Sequence, residues 1–154
     1  YLKSTTTLTA VASSSSYSLW FKSTNGIYPA DQYLFTQGTN DPAVFIESTD
    51  NKVYVMAENA NRLSSTKTVN DTNWHHLEMT VDGTTIKLYL DGVLEGQTPY
   101  TQFSSSASNL YIASNATPGS YFSGIIDDVR VYNYARSPLE ILQDYNAGFW
   151  THFK

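Results

Sequence analysis

An all-β domain of antiparallel strands, either a sandwich or a barrel, is predicted by three features of this sequence. Short segments alternate apolar and polar side chains and are separated by turn residues at close spacing. Two Asp-Gly pairs, Asp82-Gly83 and Asp91-Gly92, stand at the ends of such segments, and this dipeptide is a strong hairpin signal. The composition is rich in Tyr, Thr, Ser and Val and only 15% charged, as half-buried pleated surfaces select.

The segments follow in order. Tyr17–Lys22 alternates, with Leu19 and Phe21 on one face and Trp20 on the other. Tyr33–Gln37 is a second strand, closed by the turn residues Gly38-Thr39-Asn40-Asp41-Pro42, and Ala43–Glu47 a third. Ser48-Thr49-Asp50-Asn51 makes the next turn, where Asp and Asn bond nearby amides, and Lys52–Ala57 follows. The centre is a meander of His76–Val81, Thr85–Leu90 and Val93–Gly96, joined at the two Asp-Gly turns. Asn109–Ala113 and Gly124–Tyr132 complete the strands. One helix is expected, over Ser137–Leu142: Ser137 caps, Pro138 suits the first position and Glu140 closes a capping box. The serine tracts Ser13–Ser16 and Ser104–Ser108 read as loops, being too short for interdomain linkers. The predicted core is Leu19, Phe21, Leu77, Met79, Val81, Ile86, Leu88, Leu90, Val129 and Val131.

Length and composition bound the function. A chain of 154 residues makes one domain, 1–154, with 149–154 as a tail, and can enclose a full core. No window approaches eighteen consecutive apolar residues, so no helix inserted in a membrane is predicted. The chain starts at Tyr1 without a basic and apolar leader, as expected of a processed product, an excised domain or an expressed fragment. A net charge of −5 with nine Lys and Arg argues against nucleic acid as partner. Without Cys there is no disulfide, thiolate metal site or thiol nucleophile, which suits a bacterial, archaeal or phage surface protein. The Asn-x-Thr sequons at Asn70 and Asn115 are read as chance in an Asn- and Thr-rich chain.

Candidate chemistry is sparse. There is no Gly-x-Ser-x-Gly elbow. His75 and His76 are neighbours on a strand and face opposite ways, so one metal cannot easily take both; packing is the preferred reading. Asp127 and Asp128 likewise point apart and cannot flank one bond. Lying among Ile125, Ile126, Val129 and Val131, they need a reason to be near a core. An ion pair with Arg130 or Arg136 is one; a structural Ca²⁺, with Asp127 as ligand, is the other. Glu140 and Asp144 are expected to be solvated. Sugars are gripped by exposed aromatic rings, and the loop aromatics are Tyr28, Tyr33, Tyr100, Tyr121 and Trp150, with Asn25, Asp31 and Gln102 as hydrogen-bonding neighbours. The candidate ligand-binding residues are therefore Tyr28, Asp31, Tyr33, Tyr100 and Trp150, although strand composition alone also accounts for much Tyr.

Three stretches carry a family resemblance. Tyr121-Phe122-Ser123-Gly124-Ile125-Ile126-Asp127-Asp128-Val129-Arg130-Val131-Tyr132 leads through Asn133 into Ala135-Arg136-Ser137-Pro138-Leu139-Glu140-Ile141. Upstream are Trp74-His75-His76-Leu77 and the run from Val81 to Val93. Together they resemble the laminin G-like, concanavalin A-like jelly-roll family of the compact bacterial and archaeal kind, over about Tyr17–Gly148. The resemblance implies a two-sheet antiparallel jelly roll with one short C-terminal helix. It further implies a non-catalytic recognition or adhesion module, for carbohydrate or cell-surface glycan, extracellular or at the cell surface, in a larger surface, fibre or secreted protein. The alternative is an assembly module that contacts other copies of itself or parent-protein domains in a filament or fibre. Glucanases of the superfamily set Glu-x-Asp-x-x-Glu on one strand, and that motif is absent, so no glycosidase activity is expected. The family often binds Ca²⁺ with an Asp at the position of Asp127 and an early Asp-rich turn that this sequence lacks. The preceding strand of the family is also missing, which predicts an open edge beside Gly124–Tyr132, covered by the Phe149–Lys154 tail or by a strand of another copy.

Overall fold

Side chains two apart on a strand share a face, so three alternating strands in register build a wall. In the computed structural model, which describes residues 1–7, 14–38, 42–58, 60–100, 108–117 and 119–153, these strands are β2 (Ser14–Ser23), β7 (Trp74–Asp82) and β8 (Thr85–Leu90). Rows of cross-strand neighbours run Leu19–Leu77–Leu90, Tyr17–Met79–Leu88 and Ser15–Val81–Ile86. Their apolar members and Phe21 are all buried. Burying each large apolar side chain is worth about 1.5–3 kcal/mol.

The remaining strands are β1 (Leu2–Lys3), β3 (Gln32–Gln37), β4 (Ala43–Ile46), β5 (Lys52–Ala57), β6 (Ala60–Thr68), β9 (Val93–Pro99), β10 (Leu110–Ile112) and β11 (Gly124–Tyr132). They form two antiparallel sheets, a five-stranded one in the order β11-β2-β7-β8-β9 and a six-stranded one in the order β1-β10-β3-β4-β5-β6. The six-stranded sheet contributes Leu34, Phe35, Val44, Ile46, Val53, Val55, Leu110 and Ile112 to the shared core. Tyr17 and Phe35 stack across the gap at 5.1 Å, and the Tyr17 hydroxyl donates to Gln37 Oε1 at 2.7 Å. Burial pushes the pKa of that hydroxyl up to about 12. The turn between β8 and β9 has Asp91 at φ 53° and Gly92 at φ 76°, the pair of positive angles of a type I′ hairpin.

On one side the sandwich is stitched shut: the backbone amides of Thr66 and Lys67 in β6 donate to the Glu95 carboxylate of β9, at 2.8 and 3.0 Å. The other side is open. There a cleft of about 330 Å³ runs between β1 and β11, lined by Tyr1, Leu2, Ile112, Gly124, Ile126 and Val129.

Four expectations need correction. Val129 and Val131 are 40% and 39% exposed rather than core, because β11 is an edge strand over that open side. A bulge between Asp127 and Arg130, with Asp128 at φ 49°, also bends β11 away. Ser14–Ser16 begin β2 instead of forming a loop, and Ser15 and Ser16 are buried. The strand β6 has no counterpart in the predicted set; its sequence is largely polar and lies at a sheet edge, where one apolar side chain, Leu63, reaches the core. Residues 149–152 are the last turn of a helix rather than a tail, and they meet β11 through His152, whose Nε2 lies 3.5 Å from Asp127. The Ser104–Ala107 part of the second serine tract lies outside the described residues.

That helix, α1 (Pro138–His152), starts as predicted. Ser137 Oγ accepts from the Glu140 amide at 3.3 Å and the Ser137 amide donates to Glu140 Oε2 at 2.8 Å, a complete capping box. It runs on past Leu142 because its inner face has a landing place on the five-stranded sheet: the indole of Trp20, stacked on His152 at 4.3 Å and Tyr145 at 5.8 Å. Gly148 allows this approach, for a Cβ there would stand 2.5 Å from the Trp20 ring. Gly148→Ala gains about 1 kcal/mol of helix propensity. It is still expected to destabilise the domain by about 1–3 kcal/mol, because the ring and helix must separate; urea unfolding measures this, and a stabilised variant would refute the contact. No helix is long and apolar enough to cross a membrane among the described residues.

Candidate functional site

With α1 on the outer face of the five-stranded sheet, the outer face of the six-stranded sheet is the other broad surface available to a ligand. Its residues alternate with the core residues of the same strands. Val44 and Ile46 point inward, so Ala43 and Phe45 point outward; Val53 and Val55 point inward, so Tyr54 and Met56 point outward. Register then sets Tyr33 of β3 beside Phe45 of β4 and Phe45 beside Tyr54 of β5. The three rings form a row, with centroids 5.1 and 5.7 Å apart and interplanar angles of 21° and 26°. Tyr33 and Phe45 are buried within the row, whereas Tyr54 and Met56 are half-buried. The strand partner of Tyr54 on its far side is Ser64, which leaves that end of the row flanked by a small hydroxyl.

Carboxylates line the end of this row. Asp31 Oδ1 accepts from the amide and the hydroxyl of Ser48, each at 3.0 Å. Asp50 accepts from the Lys52 amide through Oδ1 and from the Tyr54 hydroxyl through Oδ2, both at 3.1 Å. Glu47 accepts from the Thr49 hydroxyl at 3.4 Å. Partial burial, then the negative charge of Asp31, raises the pKa of Glu47. Burial followed by Asp31 and Glu47 raises that of Tyr33. The bond to Asp50 and then burial raise that of Tyr54. Half-buried carboxylates crowded together gain from incoming hydrogen-bond donors and repel anions. Beside an apolar platform of Tyr54 and Met56, that chemistry fits a polyhydroxylated, uncharged ligand.

Of the predicted ligand-binding residues, the structure brings Asp31 and Tyr33 together here. Tyr28 and Tyr100 are not loop platforms; both are buried in the main core, and the Tyr28 hydroxyl donates to the Val69 carbonyl at 2.8 Å. Trp150 is 73% exposed but stands on α1, over the opposite sheet. Tyr121 rests on Tyr1 at 5.7 Å, Asn25 accepts from the Ile27 amide, and Gln102 lies outside the described residues. Phe45, Glu47, Asp50 and Tyr54 were missed. The signal for Phe45 and Tyr54 was an aromatic ring out of phase with the aliphatic positions of its own strand, Phe45 between Val44 and Ile46 and Tyr54 between Val53 and Val55; Glu47 and Asp50 carried none.

A second polar assembly lies beneath α1. Glu78 is fully buried and Arg136 nearly so, with Arg136 Nη1 3.4 Å from Glu78 Oε2 and in close contact with Asp144. Arg130 Nη1 reaches the same Asp144 carboxylate at 3.1 Å, so Asp144 is bridged between two guanidinium groups rather than solvated. Glu140 is committed to the capping box and to the Tyr134 hydroxyl at 3.1 Å. Burial pushes the Glu78 pKa up to about 7 and that of His76 down to about 4. A cleft of about 190 Å³ beside this cluster is lined by Trp20, Asp128, Arg130, Asp144, Gly148 and Thr151. The charges here pair with one another and fasten the helix, while Glu78 Oε1 and Arg136 Nε are buried without a hydrogen-bond partner among the described residues.

The histidines diverge as their neighbouring positions require. His75 turns toward Phe21 and bonds Asp91 at 3.0 Å and Asp71 at 3.2 Å; His76 turns under α1 toward Ser18, at 3.0 Å. At Asp127 the surroundings do not fit Ca²⁺, which takes six to eight oxygen ligands. Its side chain is 62% exposed, one oxygen accepts from the Asp128 amide, and the other faces His152 at 3.5 Å. Asp128 lies 3.6 Å from Arg130. No group of three or more His, Asp or Glu able to hold a metal occurs among the described residues.

Comparison with known proteins adds the family. No curated protein matches the chain. Among solved structures, a heptameric SAP-like pentraxin from Limulus polyphemus superposes with a TM-score of 0.71 at 14% identity, over 91% of this chain and 72% of its own. A Bacteroides ovatus protein described as carbohydrate-binding gives 0.72 at 17%, over 85% of this chain. Domain 4 of an extracellular arabinanase from Geobacillus stearothermophilus, solved with arabinotriose, gives 0.68 at 18%, over 86% of this chain and 66% of its own. The chain spans only 40% of the Bacteroides protein. Identities this low establish the shared jelly roll, and these neighbours are mainly binding domains. The family model of the concanavalin A-like lectin/glucanases, of laminin G type, matches residues 1–142, and the chain belongs to that superfamily.

Proposed function

We propose that this domain is a non-catalytic carbohydrate-binding module whose ligand lies on the outer face of the six-stranded sheet, at Tyr54 and Met56, with Asp31, Glu47 and Asp50 accepting sugar hydroxyls. The observation that carries this reading is the junction of a half-buried aromatic end with a crowded carboxylate rim. An apolar ring face takes the C–H face of a sugar, and carboxylates accept its hydroxyls. Such a rim disfavours sulfated or uronate-rich chains and favours neutral ones. The arabinotriose complex of the related arabinanase domain supports a neutral sugar, and its extracellular origin supports a setting outside the cell or at its surface, within a larger protein. The missing paired-carboxylate motif supports binding without hydrolysis.

A glycan array followed by calorimetry tests this, with chelator present throughout, since the site calls for no metal. Tyr54→Ala should weaken binding of a neutral oligosaccharide at least about tenfold, equivalent to 1.4 kcal/mol. Asp50→Asn, which keeps the shape and loses the charge, should weaken it less. Undiminished affinity in Tyr54→Ala would move the site elsewhere, and turnover of the glycan would overturn the non-catalytic reading. Assembly is the second reading, and the observation that favours it is the exposed apolar surface of α1.

A further inference from the structure

His75 is held in a way that a neutral imidazole cannot satisfy. Its ring is only 6% exposed and packs against Phe21 of β2 at 5.5 Å. Nδ1 lies 3.0 Å from Asp91 Oδ2, and Nε2 lies 3.2 Å from Asp71 Oδ1. Both facing atoms are carboxylate oxygens, which accept hydrogen bonds and, when ionised, donate none. A neutral imidazole has one N–H and can serve only one of them, whereas the imidazolium serves both. Asp91 also takes the Lys67 ammonium, in close contact, and the His76 amide at 3.0 Å. Asp71 Oδ1 accepts from the Asn73 amide as well, at 2.7 Å. Among the described residues, the charged groups around the ring are therefore Asp71 in the loop before β7, Asp91 in the turn after β8 and, behind Asp91, Lys67 of β6. From β2 comes only the uncharged Phe21. Burial disfavours the charged ring, but the bond to Asp91 and then the charges of Asp91 and Asp71 outweigh it and raise the His75 pKa.

We propose that the His75 imidazolium is a latch on the crossover between the two sheets, closed at acid and neutral pH and open at alkaline pH. The segment Val69–Asn73 leads from β6 of the six-stranded sheet to β7 of the five-stranded one. Its first residue is fixed independently of the latch: Val69 is buried, its amide donates to the Asn51 carbonyl at 2.9 Å, and its carbonyl accepts from the Tyr28 hydroxyl. Toward its other end, the side-chain link to the sandwich is Asp71–His75. When the ring loses a proton, one of its two bonds must go. Asp91 is 12% exposed and is held by Lys67 and the His76 amide, so the remaining proton stays on Nδ1. The bond lost is the one to Asp71, whose side chain is 43% exposed and can turn to water. The folded pKa is raised, so the stabilisation is complete below the unfolded value of 6.5 and is lost as pH rises through the folded value. The released segment adjoins Trp74, whose ring meets His152 at 4.7 Å, so the opening borders the end of α1.

Two readings on the purified chain between pH 5 and pH 10 test this. Side-chain nitrogen NMR should show His75 doubly protonated below a midpoint that lies above 6.5, and protonated on Nδ1 above it. Amide exchange, corrected for the intrinsic effect of pH, should show the protection of Asn73 and Trp74 falling at least about tenfold through the same midpoint, while β8 keeps its protection. Asp71→Asn gives a second test at a partly exposed position that does not threaten the fold. It should lower the His75 midpoint, since a negative charge is removed. It should also abolish the pH dependence at Asn73 and Trp74, because an amide can accept from the charged ring and donate to the neutral one. A midpoint at or below 6.5 overturns the proposal. So does a His75 titration that leaves exchange in this segment unchanged, or an Asp71→Asn variant that keeps the wild-type midpoint. No glycan enters these readings, so this proposal and the carbohydrate-binding one can fail separately.

Discussion

Arg136→Met is expected to cost about 3–5 kcal/mol at pH 8, because it leaves the fully buried Glu78 carboxylate without its nearest cation. The cost should shrink at pH 5. Burial already raises the Glu78 pKa from 4.5 to about 7. The native state therefore holds a proton on Glu78 that the unfolded chain releases above pH 4.5, and stability falls as pH rises through 4.5–7. Without Arg136 the raised pKa rises further, so the penalty is carried mainly above neutrality. Below pH 5 Glu78 is neutral in the folded state and has little need of the guanidinium. Asp144 keeps Arg130 in either case. Urea unfolding of wild type and variant at pH 5 and pH 8 gives the four free energies. An equal loss at both would show that the guanidinium acts through packing or its link to the Glu140 carbonyl, at 3.2 Å, and not through Glu78.

Trp20→Ala should be comparably severe, about 3–5 kcal/mol. The indole is buried between sheet and helix and touches His76, Tyr145, His152 and Phe153. A fifteen-residue helix is marginal in isolation, so most of the stability of α1 comes from this landing site. The loss should be local as well as global: amide exchange in Tyr145–His152 should accelerate more than exchange in β7 and β8. Uniform acceleration, or a loss under about 1.5 kcal/mol, would mean that the capping box and the Arg136–Asp144 contact hold the helix without the ring.

Legibility differed with the kind of physics involved. The meander of β7, β8 and β9 was readable because alternation and Asp-Gly turns are local signals, and eight of the predicted core positions lie on β2, β7 and β8. Val129 and Val131 have the same alternation, but burial needs a facing sheet, and the six-stranded sheet ends there in the two-residue β1. Sequence cannot show where a layer stops. The capping box was local and legible; the length of α1 was not, since it depends on Trp20, far away in the chain. The same holds for the candidate site. Asp31 and Tyr33 were visible as polar and aromatic residues near a loop, whereas Phe45, Tyr54, Glu47 and Asp50 join them through the pairing of β3, β4 and β5. Tyr28 and Tyr100 were misplaced for the converse reason: a Tyr beside loop residues has the same local sequence whether its ring faces solvent or core.

The placing of α1 and Tyr54 on opposite outer faces of the sandwich has a consequence for how the molecule can be held. A domain anchored through its helix side turns the Tyr54 face directly away from the anchor, so the two do not compete for space. Coupled to a bead through α1, it should therefore leave a polysaccharide free to approach, whereas coupling through the six-stranded sheet should block that approach.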